Sequence, residues 1–101
     1  MSIAVSVSED KKTVTVSVTG RFDFSLHNAF RKAYKDVEVS GVMYAVDLKG
    51  ADYMDSSALG MLLLLKEYAE SNSSKVKITG INNDIRDILI IASFDKLFTL
   101  E

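Results

Sequence analysis

The stretch Gly41-Val42-Met43-Tyr44-Ala45-Val46-Asp47-Leu48-Lys49-Gly50-Ala51-Asp52-Tyr53-Met54-Asp55-Ser56-Ser57-Ala58-Leu59-Gly60 decides how this chain folds. Val42 to Leu48 is a nearly unbroken apolar run of strand length, which predicts a central strand covered on both faces. A short acidic loop follows. Asp55-Ser56-Ser57 then supplies cap residues for a helix reaching about Ala69, because short polar side chains satisfy the free N–H groups of a first turn. A buried strand feeding a helix through a short loop is the repeating unit of an α/β domain.

Outward from that unit the pattern continues on both sides. Upstream, Ile3, Val5 and Val7 alternate with small residues, Asp10-Lys11-Lys12 marks a turn, and Val14, Val16 and Val18 alternate again. That is a hairpin of β-branched residues, with Gly20 closing its second strand. Ser25 is the expected N-cap of a helix in which Leu26, Phe30, Ala33, Tyr34 and Val37 recur at helical spacing. Downstream, Lys75 to Thr79 is a strand ended by Gly80, and Asn82 to Ile91 is a helix. Phe94, Leu97, Phe98 and Leu100 form a packing anchor and a short last strand. The order β-β-α-β-α-β-α-β predicts a mixed β-sheet packed by α-helices, in a single domain spanning 1–101.

Composition narrows the function. The 101 residues carry no Cys, no Pro, no Trp and one His, with a net charge of −2 and 48% hydrophobic residues. Disulfides, thiolate metal sites and Cys nucleophiles are excluded, and one His argues against a metal enzyme. The charge balance lacks the basic footprint of a nucleic-acid binder. The N-terminus alternates rather than running apolar, and the most apolar stretch, Ala58 to Leu65, is too short for a membrane span. The expectation is a cytoplasmic binding module without cofactor or metal, and not an enzyme.

The chemistry concentrates at Asp55 and Ser56. Asp55 can accept from the first N–H groups of the helix, which leaves Ser56 in the first turn beside the loop. Two readings stand side by side. One is ordinary capping. The other is a phosphoacceptor serine, since a helix N-terminus favours an anion while the charge added beside Asp52 and Asp55 reshapes the local field.

At these residues the chain resembles the STAS domain of bacterial anti-sigma factor antagonists. Asp55-Ser56-Ser57-Ala58-Leu59-Gly60 is similar to that family's Asp-Ser-(Ser/Thr)-Gly-Leu-Gly signature. Gly20-Arg21-Phe22-Asp23 is similar to its Gly-x-(Leu/Ile)-Asp, and Arg86-Asp87-Ile88-Leu89 through Phe94 and Leu97-Phe98 to its last helix and strand. The resemblance implies partner switching. The unphosphorylated form binds an anti-sigma factor or switch kinase and releases a sigma factor; phosphorylation by the serine kinase blocks binding, and a serine phosphatase restores it. Carried over, Ser56 is the phosphosite, with Ser57 the second choice. Asp23, Asp55, Ser56, Ser57 and Ala58 are the partner-binding residues. Ala58 stands where the family usually has Gly, which improves the helix but restricts close approach. The alternative is a STAS-like accessory subunit of a transport or stress-signalling complex, in which Ser56 only caps.

Other candidates carry less. Ser56, His27 and Asp23 contain the residue types of a hydrolytic triad, but no Gly-x-Ser-x-Gly elbow is present, and His27 reads as a surface residue. Met61-Leu62-Leu63-Leu64-Leu65 is apolar all round its helix, more than one stripe requires. It predicts a helix buried between sheet and neighbour, with room for one exposed side chain beside Ser56. Phe22 and Phe24 are expected to divide between core and surface.

Overall fold

A computed structural model describes residues 2–37 and 39–101. Among them the elements run β1 (Ile3–Val7), β2 (Thr13–Phe22), α1 (His27–Lys35), β3 (Met43–Met54), α2 (Ser56–Ser71), β4 (Lys75–Thr79), α3 (Asn83–Ile91) and β5 (Thr99–Leu100). One-turn 3₁₀ segments, Phe24–Leu26 and Phe94–Lys96, precede α1 and β5. The five strands form one sheet in the order β1-β2-β3-β4-β5, with β1 antiparallel to β2 and the rest parallel. The mixed α/β fold expected from the residue pattern is the fold observed.

Each parallel crossover moves one place in the same direction. Right-handed crossovers therefore put α1, α2 and α3 on the same face of the sheet. That face is the core: Val14, Val16 and Val18 of β2, Tyr44, Val46 and Leu48 of β3, and Ile78 of β4 are fully buried. Against them pack Phe30 and Tyr34 of α1, Met61, Leu62 and Leu65 of α2, and Ile85 and Leu89 of α3. The alternate residues Thr13, Thr15, Ser17, Met43, Ala45, Asp47, Lys75 and Lys77 lie on the opposite face, outside this cluster. β3 is central in the sheet but is covered by helices on one face only, contrary to the expectation from its apolar run. The run looks two-sided because Met43 and Ala45 are apolar on a face that is otherwise polar.

Two strands are longer than expected. β2 continues through Gly20, whose φ of 78° lies in the left-handed region, to Phe22. β3 continues past Leu48 to Met54. The register slips between Ser17 and Thr19 and again between Gly20 and Arg21, where β3 holds an extra residue each time. Such bulges bend a strand without ending it, so Lys49-Gly50-Ala51-Asp52 is strand rather than loop. Gly50 leaves room there for the Thr19 methyl, which a Cβ would approach to 2.6 Å and force to shift.

Three smaller expectations change. Ser25 does not cap α1: Leu26 occupies that position with no side-chain cap bond, and Asp23 caps the 3₁₀ turn before it. Leu97 is exposed, so the C-terminal anchor is Phe94 and Phe98, both buried, with ring centroids 5.4 Å apart. In α2 both Leu63 and Leu64 are exposed rather than one side chain. Phe22 is buried and Phe24 is 67% exposed, the division expected of that pair.

Candidate functional site

The site forms at the C-terminal edge of β2 and β3. Register pairs Arg21 with Tyr53 and Phe22 with Met54, so Asp23 and Asp55 leave the sheet side by side. The carboxylate of Asp23 accepts from the Ser25 amide at 3.0 Å and from the Ser25 hydroxyl. The carboxylate of Asp55 accepts from the Ala58 amide at 3.2 Å. Both residues are half-buried; each fixes the start of the helical segment that follows. The Asp23 carboxyl is held below its ordinary range, chiefly by the Ser25 hydroxyl, then by the Ser25 amide and Arg21.

Ser56 is the first residue of α2 and is exposed; Ser57 beside it is half-buried. The Ala58 amide is taken by Asp55 and the Leu59 amide reaches the Asp55 carbonyl at 3.3 Å. The Ser56 and Ser57 amides have no partner among the described residues, as expected of the first donors of a helix. An oxyanion on Ser56 would meet these free donors and the positive helix end.

Ala58 does not belong to the surface. Its side chain is fully buried in the core, so only its amide contributes, through the Asp55 cap. The exposed face of the helix is carried on from Ser56 by Gly60 and Leu63, at i+4 and i+7. A Cβ at Gly60 would meet nothing within 4 Å, so the helix backbone is bare between the serine and the leucine.

Residue-by-residue reading did not single out Arg21 and Tyr53 as site residues. The Arg21 guanidinium lies 3.9 Å from the centre of the Tyr53 ring and 3.5 Å from the Asp23 carboxylate. Their signal was positional: each stands two residues before its aspartate, on paired strands. Phe24 stacks on His27 with ring centroids 5.2 Å apart, which leaves an exposed aromatic face at this edge. His27 contacts Asn28 at 3.4 Å, and among the described residues no hydrogen bond joins it to Ser56 or Asp23. The triad geometry is not formed. No helix among the described residues is long and apolar enough to cross a membrane.

Residues 5–100 match a family model described as "Mlab, STAS domain". A STAS-domain containing protein of Pseudomonas aeruginosa is 41% identical over 100 residues, covering 99% of each chain. The anti-sigma factor antagonist SpoIIAA in its unphosphorylated form superposes with TM-score 0.72 at 14% identity, covering 98% of this chain and 86% of that one. Its phosphorylated form from Bacillus gives TM-score 0.68 at 14% identity, over 98% and 90%. A sulfate transporter family protein of Wolinella succinogenes gives TM-score 0.78 at 13% identity, over 91% and 74%. At these identities the solved structures share the fold.

Proposed function

The chain belongs to the STAS-domain family, and within it we propose that it acts as an anti-sigma factor antagonist switched at Ser56. Unphosphorylated, it binds an anti-sigma factor or switch kinase and so releases a sigma factor. Phosphorylation of Ser56 by a serine kinase blocks that binding, and a serine phosphatase reverses it. The role is that of a binding protein in the cytoplasm, and the covalent chemistry is performed on it by other proteins.

The observation that carries this reading is the exposure of Ser56 on the first turn of α2, directly after the Asp55 cap. Because Asp55 already holds the helix start, a phosphate at Ser56 changes the surface without being needed for the fold. It adds about two negative charges next to the Asp55 carboxylate and on the stripe that continues through Gly60 to Leu63. A partner packed on that stripe against a neutral hydroxyl would have to bury a doubly charged group that two backbone amides only partly satisfy, which costs several kcal/mol in a dry contact.

The test is phosphosite mapping on protein purified from its native host, together with capture by Ser56→Ala and Ser56→Asp baits. One phosphate at Ser56, and a partner retained by the alanine bait alone, support the switch. Absence of phosphate even with the cognate kinase and ATP would sink it.

A second reading has its own support. The likeness to a sulfate transporter family protein favours an accessory subunit of a transport complex. In that case Asp55 caps the helix, Ser56 is an ordinary first-turn residue, and both baits retain the same partner.

A further inference from the structure

The two edges of the sheet are built differently. β5 is two residues long, and an ion pair between Lys77 and Glu101 at 3.4 Å lies beside it. β1 is five residues, Ile3-Ala4-Val5-Ser6-Val7, with no charge, no proline and an unbroken register against β2. Native proteins ordinarily protect an exposed edge of that kind with charges, proline or a bulge.

The outward backbone of β1 follows from its register. The Ser8 amide donates to the Thr13 carbonyl and the Thr19 amide to the Ser2 carbonyl, so even-numbered residues face β2. In an antiparallel ladder bonded and non-bonded pairs alternate. The N–H and C=O groups of Ile3, Val5 and Val7 therefore point away from the sheet, and among the described residues nothing pairs with them. The side chains of the same residues share the helix-facing side with Val14, Val16 and Val18, yet Val5 is 40% and Val7 43% exposed.

The flank of α1 above this edge is equally specific. His27, Arg31, Tyr34 and Lys35 line the groove between α1 and α2. The opposite flank, at helical spacing, carries Ala29, Ala33, Lys32 and Asp36. Ala29 is exposed, and Lys32 and Asp36 approach to 4.0 Å across one turn. A two-fold axis through Val5 would place Ile3 opposite the second copy's Val7, and Lys32 near the second copy's Asp36. The outward donors of Ile3, Val5 and Val7 would meet acceptors, Lys32 and Asp36 would each face an opposite charge, and the alanines would allow the two α1 helices to approach closely.

We propose that this chain forms a two-fold symmetric dimer by antiparallel pairing of β1 with β1 of a second copy, which joins the two sheets into one. The occupant of the edge is a second copy because register and charge are both self-complementary, as an isologous contact requires. The axis stands perpendicular to the sheet. The Ser56 edges then point to opposite ends of the dimer and both stay free, so this inference does not rest on the phosphoswitch.

The experiment is sedimentation equilibrium of the full chain at rising concentration, with amide exchange followed by NMR. The apparent mass is expected to double from 11.1 kDa, and exchange at the Ile3, Val5 and Val7 amides is expected to slow as the dimer forms. Val5→Lys should abolish the mass increase while circular dichroism stays that of the wild type. Should that variant fail to fold, Ala29→Glu tests the same contact from the helix side. Lys32→Glu should weaken the dimer, and adding Asp36→Lys should restore it. A mass of one chain at every concentration overturns the proposal. So does a dimer in which the three odd-numbered amides keep their monomer exchange rates.

Discussion

Asp23 and Asp55 occupy equivalent positions on two neighbouring strands. Each stands one residue beyond the paired positions Phe22 and Met54, in nearly the same extended conformation, φ −132° and ψ −173° for Asp23 against φ −120° and ψ −175° for Asp55. Each closes its strand by accepting an amide of the helical turn that follows. The shared geometry aligns the starts of the two helical segments at one edge, where Ser56 is presented.

Removing either cap should cost stability without rearranging the fold. Asp55→Ala deprives the Ala58 amide of its acceptor, at about 1 kcal/mol. For a domain of this size that corresponds to a melting temperature lower by about 4–8 °C. Asp55→Asn should recover most of the loss. Equal stability of the alanine and wild-type proteins in thermal unfolding would show that the cap bond is not formed in solution.

Charge at the neighbouring position should act on binding alone. Ser56→Asp places a carboxylate in the first turn, where the helix dipole tolerates it. The melting temperature is expected to stay within about 3 °C of the wild type, while partner capture is lost. Unfolding by the substitution, or undiminished capture, would contradict the role given to Ser56.

Acid should expose the hydrogen bonds of Asp23. Its carboxyl is held below 3.8 by the Ser25 hydroxyl first, and Asp10 is lowered likewise by the Ser8 hydroxyl and the Lys12 amide. A group whose folded value is depressed stabilises fully above the unfolded value and loses that contribution as pH falls through the folded one. Melting temperature should therefore decline as pH drops below 3.8, and Asp23→Asn should make the decline shallower. An identical acid profile for the variant would count against this assignment.

Two glycines should respond in opposite ways to alanine. Gly80 has φ 69°, and a Cβ there would stand 2.6 Å from Asp47 Oδ1 and 2.8 Å from the Lys49 amide nitrogen. Gly80→Ala should destabilise by about 2 kcal/mol or more, from backbone strain and the clash together. Gly60 lies in an α-helix with open space around it, so Gly60→Ala should stabilise by about 0.5–1 kcal/mol. If the partner packs on the bare turn after Ser56, the same substitution weakens capture. Denaturant unfolding and capture, measured on both variants, separate the two effects.

Much of this arrangement was legible in the residues because it is local. Period-two valines specify β2, and an aspartate before Ser56-Ser57 specifies the start of α2; both depend on neighbours a few positions away. The Asp-Ser pair was readable for the same reason, since a cap and the first-turn residue after it are adjacent in the chain. The bulges were not readable: Lys49-Gly50-Ala51-Asp52 has the composition of a loop, and only pairing with Thr19 to Arg21 holds it as strand. Ala58 shows the same division. Its place in the signature was clear, but its burial depends on which side of α2 meets the sheet.

By itself the amino-acid sequence determined the order of elements, the cap of α2 and a serine poised at that helix start, because hydrophobic period and capping chemistry act over single turns. Tertiary structure alone decided that all three helices share one face, that Arg21 lies over Tyr53, and that Asp23 comes level with Asp55. Those relationships follow from strand order and register, in which residues some thirty positions apart become neighbours. Short-range patterns carry no record of that pairing.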